Sequence, residues 1–282
     1  MKTILVTGAN GQLGKCLQKH SKKYPNFTFL FCNSKELDIT SKKNLEDYFK
    51  EHKVDYCINT AAYTNVEQAE NEKEKAFLVN SEGAYNIANV CKANNAVLIH
   101  ISTDYVFNGK ADQPYKESDE VDPINVYGAS KLKGEEAITS NLTEYFIFRT
   151  SWLYSEFGHN FYNTIHRKAD EKAASNITTS QVGTPTNAND LAEYILNVIS
   201  SGSTDYGIYN YSNEGEATWY DFAEEILNYS KKRDEVILNK TGFFKTLAER
   251  PEYSVLSKEK AKNHFGPIKD WKISLHQLID EK

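Results

Sequence analysis

Short apolar runs alternate with amphipathic stretches along the first half of the chain. Thr3–Thr7 reads as a strand that ends in glycines, and a helix follows from about Gln12 to Lys22. Phe27–Cys32 is a second apolar strand. Leu37-Asp-Ile-Thr-Ser41 then leads into a helix through Phe49, with Ser41 as its N-cap. Val54–Asn59, Ala96–Ser102 and Tyr145–Arg149 read as further strands. The spacing predicts helices over 72–94 and 126–139. Strands this apolar need cover on both faces. The pattern therefore predicts an α/β fold built on a Rossmann-like, doubly wound parallel sheet.

Beyond residue 150 the rhythm is less regular. Helices are expected over 158–173, over 219–229 with Thr218 as cap, and over 271–279. They would build a smaller C-terminal substrate-binding lobe. Leu191, Ile195, Leu196 and Ile199 share one face of a helix over 187–200, which should return to the sheet. The expected organisation is a dinucleotide-binding domain over 1–150 and a lobe formed mainly by 151–282. The segment from Tyr105 to Pro123 holds Asn108-Gly109, two prolines and several acids. It reads either as an ordered loop over a site or as a plain surface loop.

Composition narrows the function classes. The 282 residues are 40% hydrophobic and 26% charged, as in ordinary globular proteins. A net charge of -6 with no sustained Lys/Arg tract argues against a general nucleic-acid surface. No apolar run approaches the ~20 residues of a membrane span, and the start lacks the features of a signal peptide. Cys16, Cys32, Cys57 and Cys91 form no Cys-x-x-Cys pair and suit a reducing, cytoplasmic setting. The seven histidines are dispersed, so no metal site is assigned. Glu67 and Glu70 could loosely hold Mg²⁺, although a solvated acidic face is the plainer reading.

The chemistry lies in two stretches. Gly8, Gly11 and Gly14 are spaced three apart after a strand. Gly8 can make the tight turn, Gly11 lets a pyrophosphate approach the backbone, and Gly14 lets helix and strand pack closely. The helix N-terminus behind them offers free N–H groups to a phosphate. No acid stands at the tip of the second strand, which ends at Asn33, and Lys35 could meet a 2′-phosphate. NADPH is thus slightly favoured, with NADH open. Tyr127 and Lys131 are four apart and share a helix face. A lysine can stabilise a tyrosinate and lower the tyrosine pKa, and the neutral tyrosine can protonate a nascent alkoxide. Thr103, with Ser102 as competitor, can orient a carbonyl oxygen from the end of the fourth strand, or simply cap a turn. Asn80 either supports the site or ties its helix to a neighbour.

These stretches, with Leu37-Asp-Ile-Thr40, Ala61-Ala-Tyr-Thr64, Ser102-Thr-Asp-Tyr-Val-Phe107, Arg149-Thr-Ser-Trp152, Gln181-Val-Gly-Thr-Pro-Thr186 and Arg250-Pro-Glu-Tyr-Ser-Val255, cover most of the chain. They resemble the extended short-chain dehydrogenase/reductases, and among them the dTDP-4-dehydrorhamnose reductases. The resemblance implies reduction of dTDP-4-dehydro-6-deoxy-L-mannose to dTDP-L-rhamnose with NADPH or NADH. It implies Thr103, Tyr127 and Lys131 as the catalytic set. Around the cofactor it places Gly8, Asn10, Gly11, Gln12, Leu13, Gly14, Asp38, Ile39, Ala61, Ala62, Tyr63 and Asn80. Asp104, Tyr105 and Trp152 would line the sugar pocket, and the Pro185-Thr186 and Arg250-Pro251 segments would hold the nucleotide. The family can use Mg²⁺, and a monomer or homodimer is expected. Ser180 stands where the family often has an acid. This departure leaves room for a reductase or epimerase of another nucleotide sugar, and the scaffold alone for an NADP-binding regulatory subunit.

Overall fold

The structure, a computed structural model, describes residues 1–242 and 246–281. The first half runs β1 (Lys2–Thr7), α1 (Gln12–Ser21), β2 (Phe27–Cys32), α2 (Lys42–Glu51), β3 (Tyr56–Asn59), α3 (Val66–Ala69), α4 (Lys73–Phe77), α5 (Gly83–Asn94), β4 (Val97–Thr103), α6 (Val126–Asn141) and β5 (Tyr145–Thr150). With the strand Gly207–Asn210 these form a six-stranded sheet, in the order Gly207–Asn210, β5, β4, β3, β1, β2. Every pairing in it is parallel.

Alternation along each strand explains why the sheet is covered on both sides. Ile4 and Val6 of β1, Ile58 of β3 and Ile99 of β4 point to one face, where Leu13 and Leu17 of α1 pack with Leu191 and Ile195 of the helix Ala188–Ser201. Leu5, Cys57, Leu98 and Ile147 point to the other face, against Leu45 of α2, Ile87 of α5 and Ile138 of α6. The helix Ala188–Ser201 packs on α1 and this face of the sheet through Leu191, Ile195, Leu196 and Ile199. The chain comes back a second time as the edge strand Gly207–Asn210. Its four residues, Gly-Ile-Tyr-Asn, carry too short a pattern for periodicity to reveal. All four cysteines are buried and free.

Two expected helices differ. The stretch from Glu72 to Asn94 is helical but interrupted. A π-helical turn, Leu78–Glu82, separates α4 from α5 and turns Asn80 inward, at 1% exposure. The Asn80 amide accepts from the Tyr63 N–H (2.8 Å) and donates to the Tyr63 carbonyl (3.0 Å) and Ser130 Oγ (2.9 Å). It thus ties α6 to the loop after β3. The helix expected over 158–173 is only Phe161–Asp170. Asn160 is its N-cap, and Gly158 before it is left-handed (φ +71°), so the chain turns there before the helix starts.

The C-terminal lobe has its own core. Tyr154, Tyr162, Phe222, Ile226, Trp271 and Leu275 bring together the helices Phe161–Asp170, Trp219–Tyr229 and Trp271–Asp280. Thr218 caps the second of these in a reciprocal capping box with Asp221. A two-stranded parallel ribbon, Ser175–Thr178 with Leu238–Thr241, completes the lobe. The segment after Tyr105 is an ordered loop. Phe107 stacks on Tyr115 at 4.3 Å, and Tyr115 bonds the backbone of Val255 and Ser257. Among the described residues no helix is long and apolar enough to cross a membrane.

Candidate active site

A cavity of about 600 Å³ opens between the carboxyl ends of the sheet strands and the lobe. Parallel α/β sheets place ligand sites at this edge. Its lining includes Asn10, Gly11, Gln12 and Leu13 from the glycine turn, and Ser102, Thr103, Asp104 and Tyr105 from the end of β4. Tyr127 and Lys131 of α6 and Trp152 after β5 join them. Of the other residues expected at the cofactor, Ala62 lines the cavity, whereas Gly8, Gly14, Asp38, Ile39, Ala61, Tyr63 and Asn80 lie outside its wall. Ile39 is in the core below α5, and the Asp38 carboxylate accepts from the N–H and hydroxyl of Thr40. Arg250 reaches the wall but Pro185 and Thr186 do not.

The glycine turn has the geometry a phosphate cradle needs. Gly8 is left-handed (φ +66°), and a Cβ there would sit 2.7 Å from the Ala61 nitrogen. A Cβ on Gly14 would sit 2.6 Å from the Gly8 carbonyl oxygen, so α1 packs directly on the turn. Gly11 occupies the N-cap of α1 with no side chain to satisfy the first-turn N–H groups. Those donors and the helix dipole remain for an anion. The cradle therefore fits the pyrophosphate of a dinucleotide. The Gln12 side chain is committed elsewhere: it donates to the Leu153 carbonyl (3.1 Å) and accepts from Asn160 (2.6 Å), joining the turn to the lobe. Gly14→Ala is expected to weaken NADPH binding by on the order of tenfold or more, because backbone rather than a flexible side chain must move. A fluorescence titration of NADPH checks this, with a thermal melt to show that the variant is folded.

The N-terminus of α6 is held from two directions. Asn125 caps it, accepting from the Gly128 N–H (2.8 Å), and the Glu70 carboxylate accepts from the Val126 N–H (2.8 Å). Glu67 binds Arg250 (2.6 Å) and the Leu247 N–H (2.8 Å). Both acids are thus engaged within the protein, Glu70 at the start of α6 and Glu67 on Arg250 of the cavity wall. Among the described residues no group of three or more His, Cys, Asp or Glu side chains could hold a metal ion.

Tyr127 presents its ring edge-to-face to Tyr105, 5.9 Å between centroids. Burial raises the Tyr127 pKa, with the neighbouring Thr103 hydroxyl opposing it and Asp104 and Tyr105 adding to it. The direction is opposite to the expected lowering, since desolvation of the phenolate outweighs the opposing hydrogen bond. Lys131 is 2% exposed, and burial lowers its pKa to about 8 against the favourable charge of Glu135. Its Nζ donates to the Ile101 carbonyl (2.5 Å). Thr103 is both a wall residue and a cap. Its hydroxyl donates to Asp104 Oδ1 (3.0 Å) and accepts from the Tyr105 N–H (3.2 Å). Burial raises the Asp104 pKa to about 7, against bonds from Ser254, Thr103 and the backbone. Ser102, the competitor, also lines the cavity, and its buried hydroxyl has no partner among the described residues.

Trp219 is among the wall residues that escaped the sequence reading. Trp219 stacks on Trp152 at 3.7 Å with an interplanar angle of 10°, and its Nε1 donates to Gln181 Oε1 (2.9 Å). Trp152 itself is left-handed (φ +44°), an unusual conformation for a large residue, and it packs against Gly183. Trp219 was legible only as the first residue of a capped helix, where an aromatic is unremarkable. Nothing local links it to Trp152, 67 positions earlier.

The RmlD substrate binding domain family matches residues 1–282. The chain is 36% identical to the spore coat polysaccharide biosynthesis protein SpsK of Bacillus subtilis, over 100% of this chain and 98% of that protein. It is 35% identical to a dTDP-4-dehydrorhamnose reductase of Aggregatibacter actinomycetemcomitans, over 99% of this chain and 98% of the relative. The crystal structure of dTDP-4-dehydrorhamnose reductase from Bacillus anthracis in complex with NADP superposes with a TM-score of 0.94, at 36% identity and full coverage of both chains. The chain therefore belongs to the dTDP-4-dehydrorhamnose reductase family, within the extended short-chain dehydrogenase/reductase superfamily.

Proposed function

We propose that this chain is a dTDP-4-dehydrorhamnose reductase, which reduces the C4 ketone of dTDP-4-dehydro-6-deoxy-L-mannose to give dTDP-L-rhamnose. The observation that carries the reading is the meeting of Thr103, Tyr127 and Lys131 on one cavity with the uncapped N-terminus of α1. NADPH or NADH, when bound in the glycine cradle, supplies the hydride to C4.

The chain's own residues do the rest. Tyr127 is the general acid: its raised pKa keeps the hydroxyl protonated until negative charge develops on the C4 oxygen. Lys131, as an ammonium, holds the cofactor's nicotinamide ribose and stabilises the tyrosinate that remains. Thr103 orients the carbonyl. Its single proton now points to Asp104, so it must turn from that carboxylate to bond the substrate. With a pKa of about 7, Asp104 is partly protonated near neutrality and holds the Thr103 hydroxyl less firmly than a full carboxylate would. The stacked Trp152 and Trp219 offer an apolar wall to the deoxysugar methyl group, and Arg250 lies where it can bond the nucleotide diphosphate. Anchoring the large non-reacting nucleotide holds C4 in place. A cytoplasmic monomer or homodimer fits the free cysteines and a site for which one chain supplies every group named.

The test is direct. Purified protein is incubated with dTDP-4-dehydro-6-deoxy-L-mannose and NADPH or NADH, with and without Mg²⁺, and the sugar product is identified. Formation of dTDP-L-rhamnose is expected with either cofactor. Equal rates on sugars carried by other bases would defeat the narrow assignment. Cofactor binding without turnover of any sugar would point to a regulatory subunit.

A further inference from the structure

A row of polar side chains runs through the interior of the sheet beneath the cavity. Thr7 of β1, Asn59 of β3 and His100 of β4 are direct register partners across three adjacent strands. Their exposures are 0%, 1% and 1%. They occupy the face of the sheet that α6 covers, where Leu5, Cys57 and Leu98 are their apolar neighbours two positions earlier. The Thr7 hydroxyl donates to Asn59 Oδ1 (2.7 Å), Asn59 Nδ2 lies 3.0 Å from His100 Nδ1, and His100 Nε2 lies 3.4 Å from Lys131 Nζ. Three polar residues in place of apolar ones on the buried face of central strands need a reason beyond packing.

The direction of the row can be deduced. Asn59 Oδ1 also faces the Ala61 backbone N–H (3.3 Å), which can only donate. The amide oxygen is thereby fixed toward Ala61 and Thr7, and the NH₂ toward His100. His100 Nδ1 must then accept. A neutral imidazole accepting at Nδ1 carries its proton on Nε2, the nitrogen that faces Lys131. An N–H cannot accept from an ammonium, but it can donate to a free amine. The spacing agrees: Lys131 lies 2.5 Å from the Ile101 carbonyl and 3.4 Å from the imidazole.

We propose that Thr7, Asn59 and His100 form a tautomer-setting ladder, in which His100 is a positioning residue that holds the Lys131 side chain and eases the loss of one proton from its ammonium. The inference rests on the reading of Lys131 as part of the reductase machinery. It assigns a proton path to that reading. When Tyr127 gives its proton to the C4 oxygen, the Lys131 ammonium gives one proton to the tyrosinate and becomes the neutral amine, whose Nζ lone pair then accepts from His100 Nε2–H. Lys131 then regains one proton from solvent, so the enzyme returns to its starting state. The other ionisable groups around Lys131 act differently. Glu135, one turn on in α6, favours the ammonium, and its charge is paired with Arg149 of β5. Tyr127 of α6 and Asp104 after β4 share the cavity wall with it. Burial and the charge of Lys131 keep His100 itself well below the ordinary histidine range, hence neutral.

The test uses full-length protein labelled with ¹⁵N in its imidazoles, with the His100→Gln spectrum assigning the His100 signals. The expected result is an Nε2–H, Nδ1-acceptor imidazole that gains no second proton across the neutral range. An Nδ1–H tautomer, or an imidazolium near pH 7, would overturn the proposal. This measurement needs no substrate, so it stands apart from the reductase reading. The second arm is Asn59→Asp. Its carboxylate can only accept, so the imidazole proton should move to Nδ1 and leave Nε2 free to accept from the Lys131 ammonium. The alkaline limb of the kcat/KM profile should then move up by about one pH unit. A tautomer change with no movement of that limb would also overturn the proposal. Should Asn59→Asp fail to fold, His100→Gln and His100→Leu replace it. The glutamine amide can accept from Asn59 and donate to Lys131, so His100→Gln should keep the parental limb and His100→Leu should displace it. Equal profiles for the two variants would count against the ladder.

Discussion

Tyr127→Phe is expected to lower kcat for the 4-keto sugar by about a hundred- to ten-thousand-fold, the range for loss of a positioned general acid. NADPH binding should change little, because the glycine cradle and Lys131 are untouched. Phenylalanine keeps the ring and its edge-to-face contact with Tyr105. Only the hydroxyl is lost, and with it the proton for the C4 oxygen. Since Thr103 still faces the carbonyl, the Michaelis complex should form with a near-parental KM, and the loss should fall on kcat. Single-turnover kinetics with NADPH fluorescence separate the two. Near-parental turnover in purified Tyr127→Phe would remove Tyr127 from the role of acid. Lys131→Ala should behave differently. It removes a positive charge at the ribose position and empties a buried volume below it, so both KM for the cofactor and kcat should suffer.

The contrast between these two residues shows which parts of the site the sequence made legible. The pair four apart on a helix, and the glycines three apart after a strand, are local patterns whose geometry follows from the helix and turn that they themselves specify. The strands of the sheet were legible for a similar reason. A central parallel strand buried on both faces must be apolar over several residues, and β1, β4 and β5 are. The edge strand Gly207–Asn210 has four residues and one covered flank, so its pattern is too short to stand out. Long-range partners were not legible at all. Nothing near Trp219 indicates that it stacks on Trp152, and nothing near Glu67 indicates that Arg250 comes to it across 183 positions. The π-helical turn at Asn80 belongs with these. Helical periodicity continues through Leu78–Glu82, and only the pull of Tyr63 and Ser130 on the Asn80 amide shows why the helix widens there. His100 is the sharpest case. In sequence it is one of seven scattered histidines and reads as a lone polar residue in an apolar strand. The parallel register alone places it beside Asn59 and below Lys131.

The ion pair of Glu135 and Arg149 is the second place where a single change should have a large effect, this time on stability. Both side chains are 3% exposed, and they meet in a forked contact: Arg149 Nε lies 3.0 Å from Glu135 Oε1, and Nη2 lies 2.7 Å from Oε2. Arg149 also lies over the Phe107 ring at 5.1 Å. Arg149→Met leaves the Glu135 carboxylate buried without its partner, and should cost about 3–5 kcal/mol of folding stability. The double variant Glu135→Leu/Arg149→Met leaves no orphaned charge and should recover most of that loss. Urea denaturation of the three proteins measures both quantities; equal stabilities for Arg149→Met and the double variant would mean that the destabilisation comes from packing and not from an unpaired charge. The double variant should nevertheless differ in activity. Glu135 sits one turn beyond Lys131 and is the charge that favours its ammonium. With Glu135 gone, burial is unopposed, the Lys131 pKa should fall below its value of about 8, and the alkaline limb of kcat/KM should move to lower pH. A stable double variant with that displaced limb would show that the pair is retained for the charge state of Lys131, where hydrophobic residues could have served folding equally well.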